Sequence, residues 1–160
     1  MKRNYFIALS VLVCMSALLA LTSCGKDDEP GTLKQVYTVS GSYTYQDGTF
    51  VGGYSGGNDD TREFKFYESI YKEVNEIIKT QVWDVTFKAD EKDQKLKEQN
   101  ALAEQRYSAM VKALNAVQKK LDAADKNTYK CHFSMVISVK AVGEKEICSG
   151  QITLKYVGNE

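Results

Sequence analysis

The stretch "YKCHFSMVISVKAVGEKEICSGQITLKYV", residues 129–157, constrains the fold more than any other part of the chain. Tyr129, Cys131, Phe133, Met135, Ile137 and Val139 alternate with polar or smaller residues, and Cys148, Gly150, Ile152, Leu154 and Tyr156 do the same. A period of two marks strands with one buried face. Between them Gly143-Glu144 suits a two-residue type II′ turn, with glycine first. That turn sets Val139 opposite Cys148, Met135 opposite Ile152 and Phe133 opposite Leu154, so the two apolar faces coincide. The chain must therefore build a sheet and cover one side of it.

The covering elements are legible upstream. Phe64, Tyr67, Ile70, Tyr71, Val74, Ile77 and Ile78 fall three and four apart, which predicts a helix over 61–79. Asp60 is the expected cap, with Glu63 three residues on as in a capping box. Residues 82–87 alternate Trp83, Val85 and Phe87 against Val82, Asp84 and Thr86, a strand with one buried face. A second helix is predicted over 90–124, with Leu96, Ala103, Tyr107, Met110, Leu114, Val117 and Leu121 on its apolar side. Glu91–Lys95 and Asp93–Lys97 are its expected i,i+4 pairs. At 1.5 Å per residue this helix is ~50 Å long, longer than a small domain, so its first turns should project or bend.

The first part of the body reads as another hairpin. Residues 36–45, "VYTVSGSYTY", form a strand; Asp47-Gly48 supplies a turn, and 49–54 return as a short strand. The expectation is an α+β domain: an antiparallel sheet packed on two amphipathic helices, in the order hairpin, helix, strand, helix, hairpin.

The N-terminus has a different character. Met1-Lys2-Arg3 is basic, and residues 6–21 are apolar apart from Ser10 and Ser16. That run is shorter than the ~20 residues of a membrane-crossing helix. Basic start, short apolar region and small residues before a break make the pattern of a secretory signal. The break is Leu21-Thr22-Ser23-Cys24, which resembles the lipobox of bacterial lipoproteins. The resemblance covers about the first thirty residues and implies cleavage before Cys24 and a lipid of palmitate type on its thiol. One acyl chain binds a membrane only marginally, at ~0.8 kcal/mol per buried CH₂. A lipoprotein cysteine carries more than one chain, so the anchor would hold without a spanning helix. Then comes Gly25-Lys26-Asp27-Asp28-Glu29. Lys26, Asp27, Asp28 and Glu29 look like the lysine-led acidic export tag of Bacteroidota surface lipoproteins. This implies an outer-membrane protein facing the cell surface; without the tag it would face the periplasm. The resulting division is a removed signal over 1–23, a lipidated tether over 24–34 and one globular domain over 35–160. For the body of the chain the residues indicate no family.

Composition excludes some partners. The chain has 21 basic and 21 acidic residues, and loss of Lys2 and Arg3 with the signal leaves 19 against 21. That balance gives no basic face for nucleic acid and no polybasic patch for anionic lipid.

Candidate chemistry is sparse. Cys131 and Cys148 would share an oxidising compartment, yet the expected register puts Cys131 opposite Tyr156, eight residues from Cys148. At ~3.3 Å per residue they lie ~26 Å apart, so no disulfide and two free thiols are expected. His132, the one histidine, neighbours Cys131 but points to the opposite face, so the two cannot grip one metal ion. The glycine-rich 51–60 segment, "VGGYSGGNDD", lies between strand and helix but lacks the Lys-Ser/Thr end of a phosphate loop. Its Asp59 and Asp60 would repel phosphate, and Asn58-Asp59-Asp60 does not match an EF-hand. The tyrosines could stack on sugars, though most fall at core-facing positions. No nucleophile–base–acid set emerges. No catalytic residue, metal site or cofactor other than the Cys24 lipid is therefore assigned. Three readings follow: a surface-anchored module docking protein or glycan, an envelope component packing a partner through its long helix, or an enzyme. An exposed aromatic patch on the sheet would favour glycan, an exposed Leu/Met stripe over 96–121 a partner helix, and a deep carboxylate-lined pocket an enzyme.

Overall fold

The computed structural model describes residues 31–50 and 61–159. It shows an α+β chain with an open four-stranded antiparallel sheet and two helices. In chain order these are β1 (Thr32–Phe50), α1 (Arg62–Ile77), β2 (Gln81–Lys88), α2 (Lys92–Ala123), β3 (Cys131–Val142) and β4 (Glu146–Val157). A single 3₁₀ turn, Ala89–Glu91, leads into α2. The strands lie in the order β2-β1-β3-β4.

β1 holds the sheet together. Its first half, Thr32 to Val39, pairs with β2, and from Thr38 onward it pairs with β3. This corrects the expected first hairpin: the order is strand, helix, strand, helix, hairpin. Asp47-Gly48 does not turn. Asp47 lies opposite Ser134 and Gly48 opposite Phe133, after a register shift between Tyr45 and Asp47. A β-bulge absorbs the irregular residue and the strand carries on, because β3 supplies partners as far as Cys131. Thr32, Leu33 and Lys34, expected in the tether, belong to this strand. The rest of the expected return strand, from residue 51 onward, lies outside the described residues.

The C-terminal hairpin forms, two residues out of the expected register. Ala141 faces Cys148, Val139 faces Gly150, Ile137 faces Ile152, Met135 faces Leu154 and Phe133 faces Tyr156. The shift comes from the connection: Gly143, Glu144 and Lys145 span it, with a bulge between Ala141 and Val142. Gly143 is needed for closeness rather than for a turn, since a Cβ there would stand 2.5 Å from the Tyr37 ring. A slip of two keeps every side chain on its own face.

The helices have local causes. The α1 cap is Thr61, one residue later than expected; its Oγ1 accepts the Phe64 N–H at 3.2 Å. Asp60 lies outside the described residues. At the other end the Ile78 carbonyl accepts the Gly41 N–H at 3.3 Å, fixing α1 to β1. The Glu91 carboxylate takes the Lys88 N–H at 3.2 Å, and Lys95 turns to Glu98 at 3.4 Å, so Glu91 and Lys95 do not form the expected pair. The first turns of α2 are held down: Lys92 reaches Glu144 at 3.4 Å and Leu96 packs against the core.

The core lies between the helices and one face of the sheet. Ile70, Val74 and Ile78 come from the first helical segment, and Ala103, Met110, Leu114, Val117 and Leu121 from α2. They meet Tyr37, Val39, Phe133, Met135, Ile137, Val139, Leu154 and Tyr156. The opposite face carries Thr38, Ser40, Ser42, His132, Ser134, Ser138, Lys140, Ser149, Gln151 and Thr153.

Candidate functional site

Aromatic side chains concentrate at one end of the molecule. Phe66 comes from the second turn of α1, in an i,i+4 row with Ile70, Val74 and Ile78. Tyr129, expected as the first inward residue of the strand, lies instead in the loop between α2 and β3, which begins only at Cys131. That loop is fixed by Asp125, whose carboxylate accepts the Asn127 N–H at 2.9 Å and the Thr128 hydroxyl at 2.5 Å. These bonds, Thr128 first, hold the Asp125 carboxyl below its ordinary pKa. The Tyr156 hydroxyl reaches the Asp125 carbonyl at 3.2 Å and the Tyr129 carbonyl at 3.1 Å.

So positioned, Tyr129 stacks on Phe66 with centroids 4.1 Å apart and planes 10° apart. Tyr156 meets Phe66 edge-on at 5.0 Å, and Phe133 lies 6.1 Å away. Phe66 and Tyr129 are both half-buried. With Arg62, Lys65 and Ser69 they line an open groove of about 400 Å³. A ring wall with a guanidinium beside it suits a flat partner such as a sugar ring or an aromatic side chain, with a hydrogen-bonding or acidic group alongside.

Next to this groove the Tyr43 and Tyr71 hydroxyls are 2.5 Å apart. Burial, then the bond to Tyr71, pushes Tyr43 up to about 12. The same bond, with a second from Asn75, lowers Tyr71.

A second arrangement sits on the far side. Trp83 stacks on the buried Tyr37 at 5.5 Å, donates from Nε1 to Gln99 Oε1 at 2.9 Å, and carries the Arg106 guanidinium 4.2 Å from its centroid. Two shallow grooves lie near the turn between β3 and β4. One of about 490 Å³ includes Asp93 and Glu104, and the other of about 370 Å³ includes Glu104, Glu144 and Glu146. Both are open surface grooves, not a deep carboxylate-lined pocket.

Cys131 is buried in the core and His132 is half-buried on the opposite face. Cys148 lies beside Ala141, ten residues along β3 from Cys131, and both thiols are free. Among the described residues no group of three or more His, Cys, Asp or Glu side chains could hold a metal ion, and no helix is long and apolar enough to cross a membrane. The uncovered sheet face carries no aromatic side chain among the described residues, and Met110, Leu114 and Leu121 of the α2 stripe are buried. The observations that would have favoured glycan docking on the sheet, or a partner on that stripe, are thus missing there. Cys24, Lys26, Asp27, Asp28, Glu29 and the 51–60 segment, with its Asn58, Asp59 and Asp60, lie outside the described residues.

The sequence reasoning passed over Phe66 and Arg106. The i,i+4 row from Phe66 to Ile78 was the available signal for the first. For the second it was the seven-residue spacing from Gln99, which puts both on one flank of α2. Compared with protein-family models, with curated proteins and with solved structures, the chain matches none.

Proposed function

We propose that this chain is a lipid-anchored protein of the bacterial outer membrane. In this reading its α+β domain faces the cell surface and acts as a non-catalytic binding module for a protein or glycan. The stretch from Leu21 to Glu29 carries the proposal: a lipobox cysteine followed at once by lysine and acids. The membrane is reached through the Cys24 lipid, and the near-neutral charge leaves nucleic acid without a basic face to bind. The groove of Phe66 and Tyr129, with Arg62 beside it, is the contact surface this reading favours.

The test separates anchor from address. Cells are labelled with an alkyne fatty acid and then treated intact with protease. The unaltered protein should take up label and be digested. Cys24→Ser should leave an unlabelled, uncut precursor, because the lipid is joined through sulfur. Alanine at Lys26, Asp27, Asp28 and Glu29 together should keep the label and lose protease access. Label on the Cys24→Ser protein would end the lipobox reading. A labelled but protected unaltered protein would place the domain on the periplasmic side.

A further inference from the structure

β4 is the last strand of the sheet, and its outer edge is only partly closed. The Lys155 N–H donates to Gln118 Oε1 at 2.8 Å, and the Lys155 carbonyl accepts from Gln118 Nε2 at 3.0 Å. Lys155 therefore turns both backbone groups away from β3. Antiparallel alternation points those of Thr153, Gln151 and Ser149 the same way. No group among the described residues pairs with these three. Gln118 thus imitates an added strand at one position and leaves the next three open.

The flank of α2 follows this edge. The Tyr107 hydroxyl lies over Gly150, 2.6 Å from where a Cβ would stand, and Gln118 lies over Lys155. Eleven helical residues advance ~16.5 Å and five strand residues the same ~16.5 Å, so helix and edge run in step and in one direction. Gln151 is then level with the stretch between Ser108 and Val111. On this flank Tyr107, Ser108, Val111, Asn115 and Ala116 form an open, mostly apolar groove of about 350 Å³. Its charges are arranged by end: Glu104 lies toward the helix start, Lys112 and Lys119 toward its end. Among the described residues none of the three forms an ion pair.

We propose that two copies of this chain pair through β4 about a twofold axis at Gln151. Gln151 then faces Gln151 of the second copy, and Ser149 faces Thr153. Only outward-pointing residues are used, giving six backbone hydrogen bonds, and Gln118 ends the ladder on each side at Lys155. The same axis passes between Ser108 and Val111, so the two α2 flanks meet antiparallel. Each Glu104 then comes level with Asn115 of the other copy, between that copy's Lys112 and Lys119. One centre satisfies the strand, the helix and the charges together. A like-sided or parallel arrangement would set the lysines on one another.

Cysteine crosslinking of the full-length protein in its own membranes tests this. A hydrogen-bonded antiparallel pair has Cα atoms about 5.5 Å apart, inside the disulfide range of roughly 4.4–6.8 Å. Gln151→Cys should form a dimer of twice the mass on mild oxidation. Ser149→Cys alone should give at least fivefold less, its two copies being ~13 Å apart. Membranes holding Ser149→Cys and Thr153→Cys copies together should crosslink again, and the unaltered chain serves as the blank. Glu104→Lys in the Gln151→Cys background should cut the yield severalfold, and adding Lys112→Glu with Lys119→Glu should restore it. No excess dimer from Gln151→Cys overturns the pairing. An adduct of another mass also overturns it and assigns the edge to a different protein's strand. Crosslinking indifferent to the charge reversals overturns the helix contact.

Discussion

On one face of the sheet Ile137 is fully buried beneath the helices; on the other Val82 is 59 % exposed, with no helix above it among the described residues. Tyr37, Val39, Met135 and Leu154 share the first face. Thr38, Ser42, Ser138 and Gln151 share the second, where Gln151 Nε2 donates to Ser138 Oγ at 3.2 Å. Each strand contributes to both faces, one residue apart. The faces differ in what covers them, and so in how much a side chain is worth. Apolar burial stabilises by roughly 25 cal/mol per Å² removed from water, whereas an exposed valine removes little. The sheet is held from one side, and the other is free to change.

The largest test of that contrast is a pair of truncations. Ile137→Ala leaves a cavity between sheet and helices and should cost about 2–5 kcal/mol. Val82→Ala should stay within about 0.5 kcal/mol. Urea midpoints of the two variants measure the difference directly. Similar costs would mean that something covers the second face as well.

A smaller effect comes from adding an atom. A Cβ on Gly41 would stand 2.7 Å from Ile78 Cβ and 2.9 Å from its Cγ2. Ile78 cannot retreat freely, because its carbonyl accepts the Gly41 N–H and its side chain is buried. Gly41→Ala should therefore cost roughly 1–3 kcal/mol by overpacking, outweighing the ~0.5–1 kcal/mol that alanine gains over glycine in a strand. Ser42→Ala, one residue on and on the open face, should be silent within about 0.5 kcal/mol. A stabilised Gly41→Ala would show that the end of α1 gives way more easily than its bonds imply.

The same contrast explains which parts of the fold were legible. The positions Ile70, Val74, Met110, Leu114 and Leu121 stood out because helical spacing is local, and the last hairpin because alternation is local. Alternation fixes the face but not the register, since a slip of two leaves every side chain where it was. The register goes with the bulge between Ala141 and Val142 and with the close approach of Gly143 to Tyr37, the latter joining residues a hundred positions apart. Asp47-Gly48 misled for the same reason. Its preference for a turn is worth little against a continuing ladder with β3. At the candidate groove Phe66 lay within reach of helical spacing. The stack with Tyr129 did not, because it joins the start of α1 to a loop sixty residues on.

The last contrast is between the two thiols, and it is read with pH. Cys131 is fully buried on the covered face, and burial, with Glu63 as a lesser cause, pushes its thiol from 9.0 up to about 11. An unfolded chain gives up that proton near pH 9 and the folded chain keeps it to about pH 11. Across this window the folded state binds more protons, so stability must fall as pH rises. The contribution is whole below pH 9 and gone above 11, and its size is on the order of 2–3 kcal/mol. Tyr43, raised to about 12, acts in the same direction but only above pH 10. Cys148 is half-buried, and burial followed by Glu104 and Glu146 raises it in the same direction. Urea midpoints at pH 8 and pH 10 should therefore drop for the unaltered protein. The drop should shrink most in Cys131→Ala, whose lower absolute stability does not matter because each variant is compared with itself. Cys148→Ala should change it less, since that thiol is already partly in water. An undiminished drop in Cys131→Ala would mean that the buried thiol is not what the alkaline solution attacks.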